Sequence, residues 1–141
     1  MEKQTFNIRI NATPEKVWNV LWEDASYRKW TAAFAEGSHA VTDWKKGSKV
    51  LFLDGKGMGM FSTIADNVPN RFMSFKHLGE VKDGQEMPAS DWAGAMENYT
   101  LNKVNGHTEL VVEMDINDEF KDYFTNTFPK ALNRVKELAE E

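Results

Sequence analysis

The segment Ala12-Thr13-Pro14-Glu15-Lys16-Val17-Trp18 marks a passage from a strand to a helix. Thr13 is a favourable N-cap residue, Pro14 suits the first helical position, and Glu15 places an acid in the first turn. Ahead of this segment, apolar and polar residues alternate over residues 6–11, which is the period of a half-buried strand. The chain is therefore expected to open with a strand that leads into a capped helix.

The rest of the chain predicts a second short helix around Trp30, a run of strands and a final long helix. Apolar residues recur at spacings of three and four over residues 118–139, and Pro129 within that helix should bend it. Asn105-Gly106 is a strong hairpin signal, because both residues tolerate positive φ. The strands are expected at residues 38–44, 49–53, 58–68, 72–78, 92–102 and 107–116, with a loop over residues 79–91.

This order predicts an α+β protein. Because hairpin-joined strands are followed by a terminal helix, we expect a curved antiparallel sheet of about six to seven strands that wraps the C-terminal helix, with two short helices after the first strand. Residues 1–141 should form one domain, since the length fits a single domain and neither a linker nor a repeat is evident. The space between sheet and helix is then either packed or a ligand cavity.

The composition excludes several classes of function. A net charge of −5 disfavours binding to nucleic-acid phosphates. The absence of cysteine excludes disulfides, thiolate metal sites and a cysteine nucleophile. No apolar run reaches the length of a membrane span, and the N-terminus does not have the pattern of a signal peptide. We therefore expect a cytoplasmic monomer or weak dimer without a nucleic-acid or membrane partner, and we predict no metal and no cofactor.

The chain resembles a known family. The pattern A-x-P-E-x-V-W at residues 12–18, a Trp in the second helix and a long helix behind a hairpin are similar to the START-like superfamily with the helix-grip fold, and within it to the branch named after the activator of the heat-shock-90 ATPase. The similarity covers residues 4–140. It implies that an apolar ligand lies between the sheet and the C-terminal helix. A minority of the superfamily are enzymes, such as cyclases and hydrolases.

The candidate ligand-binding residues are mostly aromatic or methionine, the types that line adaptable apolar pockets. The alternative is that they fill the core. A true pocket should also contain polar groups, of which Tyr99, His77, Ser62, Ser74 and Asn98 are plausible. The predicted site residues are Trp30, Trp44, Phe52, Met58, Met60, Phe75, His77, Trp92, Tyr99, Phe124 and Phe128.

No catalytic residue is predicted outright. His77 shares a strand face with apolar residues, but a water-exposed histidine at a strand end is the favoured interpretation, and His39 and His107 should face solvent. Glu97 and Glu113 are likewise expected to face solvent, and no serine-nucleophile motif is present. The favoured function is binding of a small hydrophobic or amphipathic molecule in a cavity between the sheet and the C-terminal helix. The alternatives are an enzyme of the cyclase or hydratase type, which uses His77 or Tyr99, and a module that binds a protein partner.

Overall fold

The structure is a computed structural model that describes residues 1–89 and 91–141. In the described part of the chain, one strand is followed by two short helices, seven further strands and a long C-terminal helix. In chain order they are β1 (Glu2–Ile10), α1 (Pro14–Trp22), α2 (Asp24–Thr31), β2 (His39–Val41), β3 (Lys49–Leu53), β4 (Gly59–Val68), β5 (Phe72–Lys82), β6 (Gln85–Pro88), β7 (Met96–Val104), β8 (His107–Ile116) and α3 (Asp118–Glu140).

The first helix begins as its sequence predicts. Thr13 has an extended backbone, and its side-chain oxygen accepts a hydrogen bond from the backbone N–H of Lys16 at 3.2 Å. Pro14 occupies the first turn, where its missing N–H costs nothing. The prediction that Thr13 caps the first helix is therefore confirmed by this hydrogen bond.

The strands form one antiparallel sheet in the order β1-β8-β7-β5-β4-β3-β2, and β6 pairs with β5 beside this path. The α+β class and the antiparallel sheet are confirmed. The sheet has eight strands, one more than the upper end of the expected range. The expected loop at 79–91 is wrong over most of its length, because β5 continues to Lys82 and turns through Asp83-Gly84 into β6. Asp83 and Gly84 both have positive φ, as a tight hairpin turn requires. Residue 90, near the end of that expected loop, lies outside the described residues.

A β-bulge in β5 changes which side chains face the helix. Phe61 pairs with Gly79 but Ser62 pairs with His77, so Leu78 is the extra residue. After one extra residue the alternation of strand faces reverses, and His77 and Glu80, three positions apart, both line the same cavity. Simple alternation along β5 could not have placed Glu80 there.

The final helix has two halves with different surroundings. From Phe128 onward its apolar residues are buried, and the rings of Phe128 and Phe6 stack at 4.9 Å. Before Phe128, Phe120 and Tyr123 are exposed and Phe124 is only half-buried. The second half thus belongs to the core, while the first half keeps its aromatic side chains partly exposed and contacts β1 through the ion pair of Lys121 with Glu2 at 3.1 Å. No helix in the described part of the chain is long and apolar enough to cross a membrane.

Candidate functional site

A cavity of about 350 Å³ lies between the sheet, the first two helices and the first half of α3. Its size falls in the range typical of small-molecule sites, roughly 300–1,000 Å³. Most of its wall is aromatic or thioether surface. The apolar wall residues are Trp22, Tyr27, Trp30, Phe34, Phe52, Leu53, Met60, Trp92, Ala95, Tyr99, Met114, Ile116, Phe120, Tyr123, Phe124 and Phe128.

The structure brings most of the residues singled out from the sequence to this cavity. They come from five different parts of the fold: α2, the strands β3 to β5, the segment before β7, β7 itself, and α3. Those in the wall are Trp30, Phe52, Met60, His77, Trp92, Tyr99, Phe124 and Phe128.

Three of the expected site residues lie away from the cavity wall. Phe75 is buried one layer deeper, where it packs edge-to-face on Phe52 at 5.1 Å and on Trp22 at 5.5 Å. Trp44 also packs on Trp22, at 5.2 Å. Met58 precedes the first residue of β4 and is 41% exposed. Phe75 and Trp44 therefore support the wall from behind, and Met58 contributes to the outer surface.

A chain of hydrogen-bonded polar side chains crosses the sheet beneath the cavity. Ser62 Oγ lies 2.6 Å from His77 Nδ1, and His77 Nε2 lies 2.9 Å from Glu97 Oε1. The Tyr99 hydroxyl donates to Glu97 Oε2. His77 is only 4% exposed, so the interpretation of a water-exposed histidine at a strand end is wrong. Its burial is possible because both ring nitrogens have partners.

Glu97 is the functional candidate that the sequence reasoning missed. Its side chain is 13% exposed, and its cross-strand neighbour is Met114 on the inner face of β8. Glu113 pairs with Asn98 on the opposite face, so the expectation that Glu97 and Glu113 both face solvent is wrong for Glu97. The alternation of side chains along a strand could have identified Glu97, because residues two positions apart lie on the same face and Tyr99 was already expected in the cavity.

The other polar candidates fall on two sides of the sheet. Ser62 is completely buried behind His77. Ser74 and Asn98 pair across β5 and β7 on the outer face, where Ser74 donates a hydrogen bond to Asn98 Oδ1. Of the five polar side chains expected near a pocket, only His77 and Tyr99 reach its wall.

One placement of protons satisfies every hydrogen bond along the chain. Ser62 has one hydroxyl proton, and donating it to His77 Nδ1 leaves the Nε2–H of a neutral imidazole to donate to Glu97. The second oxygen of Glu97 accepts from Tyr99. In this arrangement Glu97 is a carboxylate with two accepted hydrogen bonds. Glu97 can accept further hydrogen bonds from a molecule in the cavity, since a carboxylate offers about four acceptor sites.

Two tyrosines near Glu97 have raised pKa values. Burial raises the pKa of Tyr99 well above its usual range, and the charge and the hydrogen bond of Glu97 raise it further. Burial, followed by the charge of Glu97, also raises the pKa of Tyr27 strongly. Both hydroxyls therefore keep their protons at neutral pH and can act as hydrogen-bond donors.

Three further carboxylates lie in the wall. Backbone N–H groups satisfy two of them: Asp54 Oδ1 accepts from Lys56 at 2.7 Å, and Asp115 Oδ2 accepts from Met96 at 2.9 Å. The third, Glu80, lies 3.4 Å from the ammonium of Lys82.

His39 is also part of the wall. It is half-buried, its Nδ1 lies 3.0 Å from the Gly37 carbonyl at an exposed position, and its side chain thus borders both the cavity and solvent.

The geometry excludes serine-nucleophile chemistry at Ser62. Its hydroxyl has no exposed surface and lies on the far side of the His77 ring from Glu97, so a substrate in the cavity cannot reach it. Among the described residues no group of three or more His, Asp or Glu side chains is placed to hold a metal ion. The groups that can meet a molecule in the cavity are aromatic faces, thioethers, hydroxyls, imidazoles and carboxylates.

An open antiparallel sheet that grips a C-terminal helix over a cavity is the helix-grip architecture of the START-like superfamily. Within that class, the family model of Activator of Hsp90 ATPase homolog 1-like proteins matches residues 11–140, and the chain belongs to this family. No curated protein matches the sequence significantly.

Three solved structures illustrate the similarity of fold at low sequence identity. The Aha1 dimer from Colwellia psychrerythraea is 21% identical with a TM-score of 0.76, over 99% of this chain and 97% of that one. A protein from Chromobacterium violaceum is 16% identical with a TM-score of 0.73, over 100% and 99%. CalU16 from Micromonospora echinospora is 14% identical with a TM-score of 0.70, over 97% and 75%. At these identities the likeness shows the fold alone.

Proposed function

We propose that this protein binds a small hydrophobic or amphipathic molecule in the cavity between its sheet and α3. The observation that carries the proposal is the cavity itself: about 350 Å³ walled by aromatic and methionine side chains, with a few polar groups at its base. An aromatic-rich chain could have filled this space with its own side chains. A filled core is also what the alternative of a protein-interaction module predicts, so the cavity favours the ligand.

The energy of such binding would come mainly from the hydrophobic effect. A ligand that buries about 200 Å² of apolar surface would gain about 5 kcal/mol, before the cost of lost motion is subtracted. The hydrogen-bonded chain from Ser62 to Tyr99 would orient the ligand, because Glu97 can accept a further hydrogen bond from it. Because its members are buried and hydrogen-bonded, they would lose little freedom when a ligand arrives.

The entrance is proposed to lie where α3 meets the segment after α2. The Tyr123 hydroxyl donates to the Phe34 carbonyl at 2.8 Å, and the ring of Phe34 lies 6.4 Å from that of Phe124. Tyr123 is 44% exposed, so water can compete for its hydrogen bond. Opening this contact would widen the route past Phe124 without disturbing the buried half of α3.

Native mass spectrometry of freshly purified protein, followed by denaturing extraction, tests the proposal. A co-purifying molecule at stoichiometric level should be found, and Phe124→Ala or Trp92→Ala should lose it. Phe72→Ala is the matched control, since Phe72 is an aromatic residue outside the cavity wall. Retention of the molecule in both cavity variants would contradict this site.

One observation favours a second candidate, an enzyme of the cyclase or hydratase type. Glu97 and Tyr99 place a carboxylate and a protonated hydroxyl side by side in the cavity wall, and paired groups of this kind can remove and supply a proton. Under this candidate, Glu97→Gln should abolish conversion of a bound compound while binding persists. Recovery of the same unchanged compound from wild type and Glu97→Gln favours binding without chemistry.

A further inference from the structure

The charges of the cavity wall are of one sign. Four carboxylates contribute to it, on Asp54, Glu80, Glu97 and Asp115, and no described residue of the wall is Lys or Arg. A cleft with low-dielectric walls and charges of one sign concentrates the opposite charge and repels its own. The negative potential of the cavity would therefore repel a fatty-acid carboxylate or a phosphate group.

Glu97 differs from the other three carboxylates in its partners. Asp54 and Asp115 accept hydrogen bonds from backbone N–H groups at the edge of the cavity, and Glu80 faces Lys82. The hydrogen-bond partners of Glu97 are the His77 ring, at 2.9 Å, and the Tyr99 hydroxyl. Both of its oxygens accept a hydrogen bond, but no lysine or arginine among the described residues forms an ion pair with it. A partly buried carboxylate without a cation is stabilised by a positive group brought by a ligand.

Aromatic rings surround the side of the cavity next to Glu97. The ring of Trp22 lies 5.0 Å from Tyr99, 6.4 Å from Tyr27 and 6.5 Å from Trp30, and all four rings contribute to the wall. The faces of indole and phenol rings attract cations, more strongly when water is excluded. The same end of the cavity thus combines a carboxylate with a cluster of cation-attracting faces.

We propose that the cavity selects an amphipathic ligand with a protonated amine, which donates to Glu97 among these rings while its apolar part lies against Phe34, Phe124 and Phe128. This inference rests on the proposed function, since it names the chemical class of the ligand for the same cavity. It predicts discrimination by charge between molecules of equal apolar size.

The test uses three probes with one alkyl chain: decylamine, decanol and decanoate, below their aggregation concentrations at neutral pH. Binding is measured by calorimetry on the full chain. The amine should bind roughly tenfold or more tightly than the alcohol, because hydrogen bonds to charged groups exceed neutral ones, and the acid should bind most weakly. Glu97→Gln should remove the preference for the amine while alcohol binding persists. Glu113→Gln, on the outer face of the neighbouring strand, should keep the preference.

The outcomes separate this inference from the proposed function. If decanol binds and the amine is no better than the acid, the charge preference is wrong while the hydrophobic site stands. The charge preference is equally wrong if Glu113→Gln lowers it as much as Glu97→Gln does. If none of the three probes binds wild type, the proposed function is contradicted and the charge preference with it. Circular dichroism confirms that each variant is folded.

Discussion

Phe6 on β1 and Phe128 on α3 stack with ring centroids 4.9 Å apart, at the point where the helix passes from the cavity to the core. Phe128 also meets Phe34 edge-to-face at 4.9 Å and is only 2% exposed. One side chain therefore ties the helix to the edge of the sheet and to the segment after α2.

Phe128→Ala should destabilise the fold by about 3–5 kcal/mol, because it removes a buried ring and leaves a cavity. Urea unfolding measures this directly. Lys130→Ala, at an exposed position of the same helix, should change the stability by less than about 0.5 kcal/mol. Equal effects of the two substitutions would show that α3 is not anchored at Phe128.

Ser62→Ala should cost about 1–3 kcal/mol of stability, although it removes only one oxygen. The substitution leaves His77 Nδ1 buried without a partner, and an unsatisfied buried polar atom carries its full desolvation penalty. Thr63→Val, on the other face of β4, is the control: it also removes one hydroxyl, keeps a β-branched side chain and should be nearly neutral. A neutral Ser62→Ala variant would contradict this prediction, because it would mean that His77 Nδ1 does not need the Ser62 hydroxyl to be buried.

The sequence predicts the fold well where the signals are local. Thr13 and Pro14 specify a helix start from their own chemistry, and Asn105-Gly106 does form the turn between β7 and β8. Apolar residues spaced by three and four locate α3 because its helical period persists over many turns. Such features require no knowledge of distant residues.

The candidate site is harder to predict because it depends on register. The extra residue at Leu78 brings Glu80 to the cavity, and only pairing with β4 reveals it. The period of two places Glu97 on the same face as Tyr99, but only the pairing opposite Met114 shows that this face is the inner one. Phe75 also lies on the inner face, but the rings of Phe52 and Trp22 pack over it. Residue type indicates that a side chain is apolar or polar, but long-range packing decides which layer it occupies.

Gly59 should be intolerant of a side chain, since a Cβ there would collide with the Phe52 carbonyl on β3. Gly59→Ala must push β3 and β4 apart beside the cavity, and we expect the free energy of unfolding to fall by about 3 kcal/mol. Gly106→Ala is the matched control: its φ of 85° is strained for alanine, but nothing lies near the added carbon. That variant should lose only about 1 kcal/mol. Urea unfolding measures the loss of stability in both variants. A smaller loss for Gly59→Ala than for Gly106→Ala would contradict the close approach of the two strands.

Alkaline pH should destabilise the protein through Tyr27 and Tyr99. Burial and the charge of Glu97 raise both folded-state pKa values above the unfolded value. In the range above about pH 10 the unfolded tyrosines release protons while the folded ones keep theirs. The stability that this difference supplies is fully present below the unfolded pKa and declines as the pH rises toward the folded pKa values. Each tyrosine should contribute a slope of about 1.4 kcal/mol per pH unit in that range.

Urea unfolding of wild type and the single variants Tyr27→Phe and Tyr99→Phe, between about pH 9 and pH 11, isolates this effect from lysine titration. Each substitution should make the fall of unfolding free energy with pH less steep, by the contribution of one tyrosine. Tyr99→Phe should also weaken the protein at neutral pH, because Glu97 loses a donor. Tyr123→Phe is the control, since Tyr123 is 44% exposed and its pKa is raised by partial burial alone. An alkaline slope that is the same in wild type, Tyr27→Phe and Tyr99→Phe would show that these hydroxyls ionise as readily in the folded protein as in the unfolded chain, and that the base of the cavity is open to water.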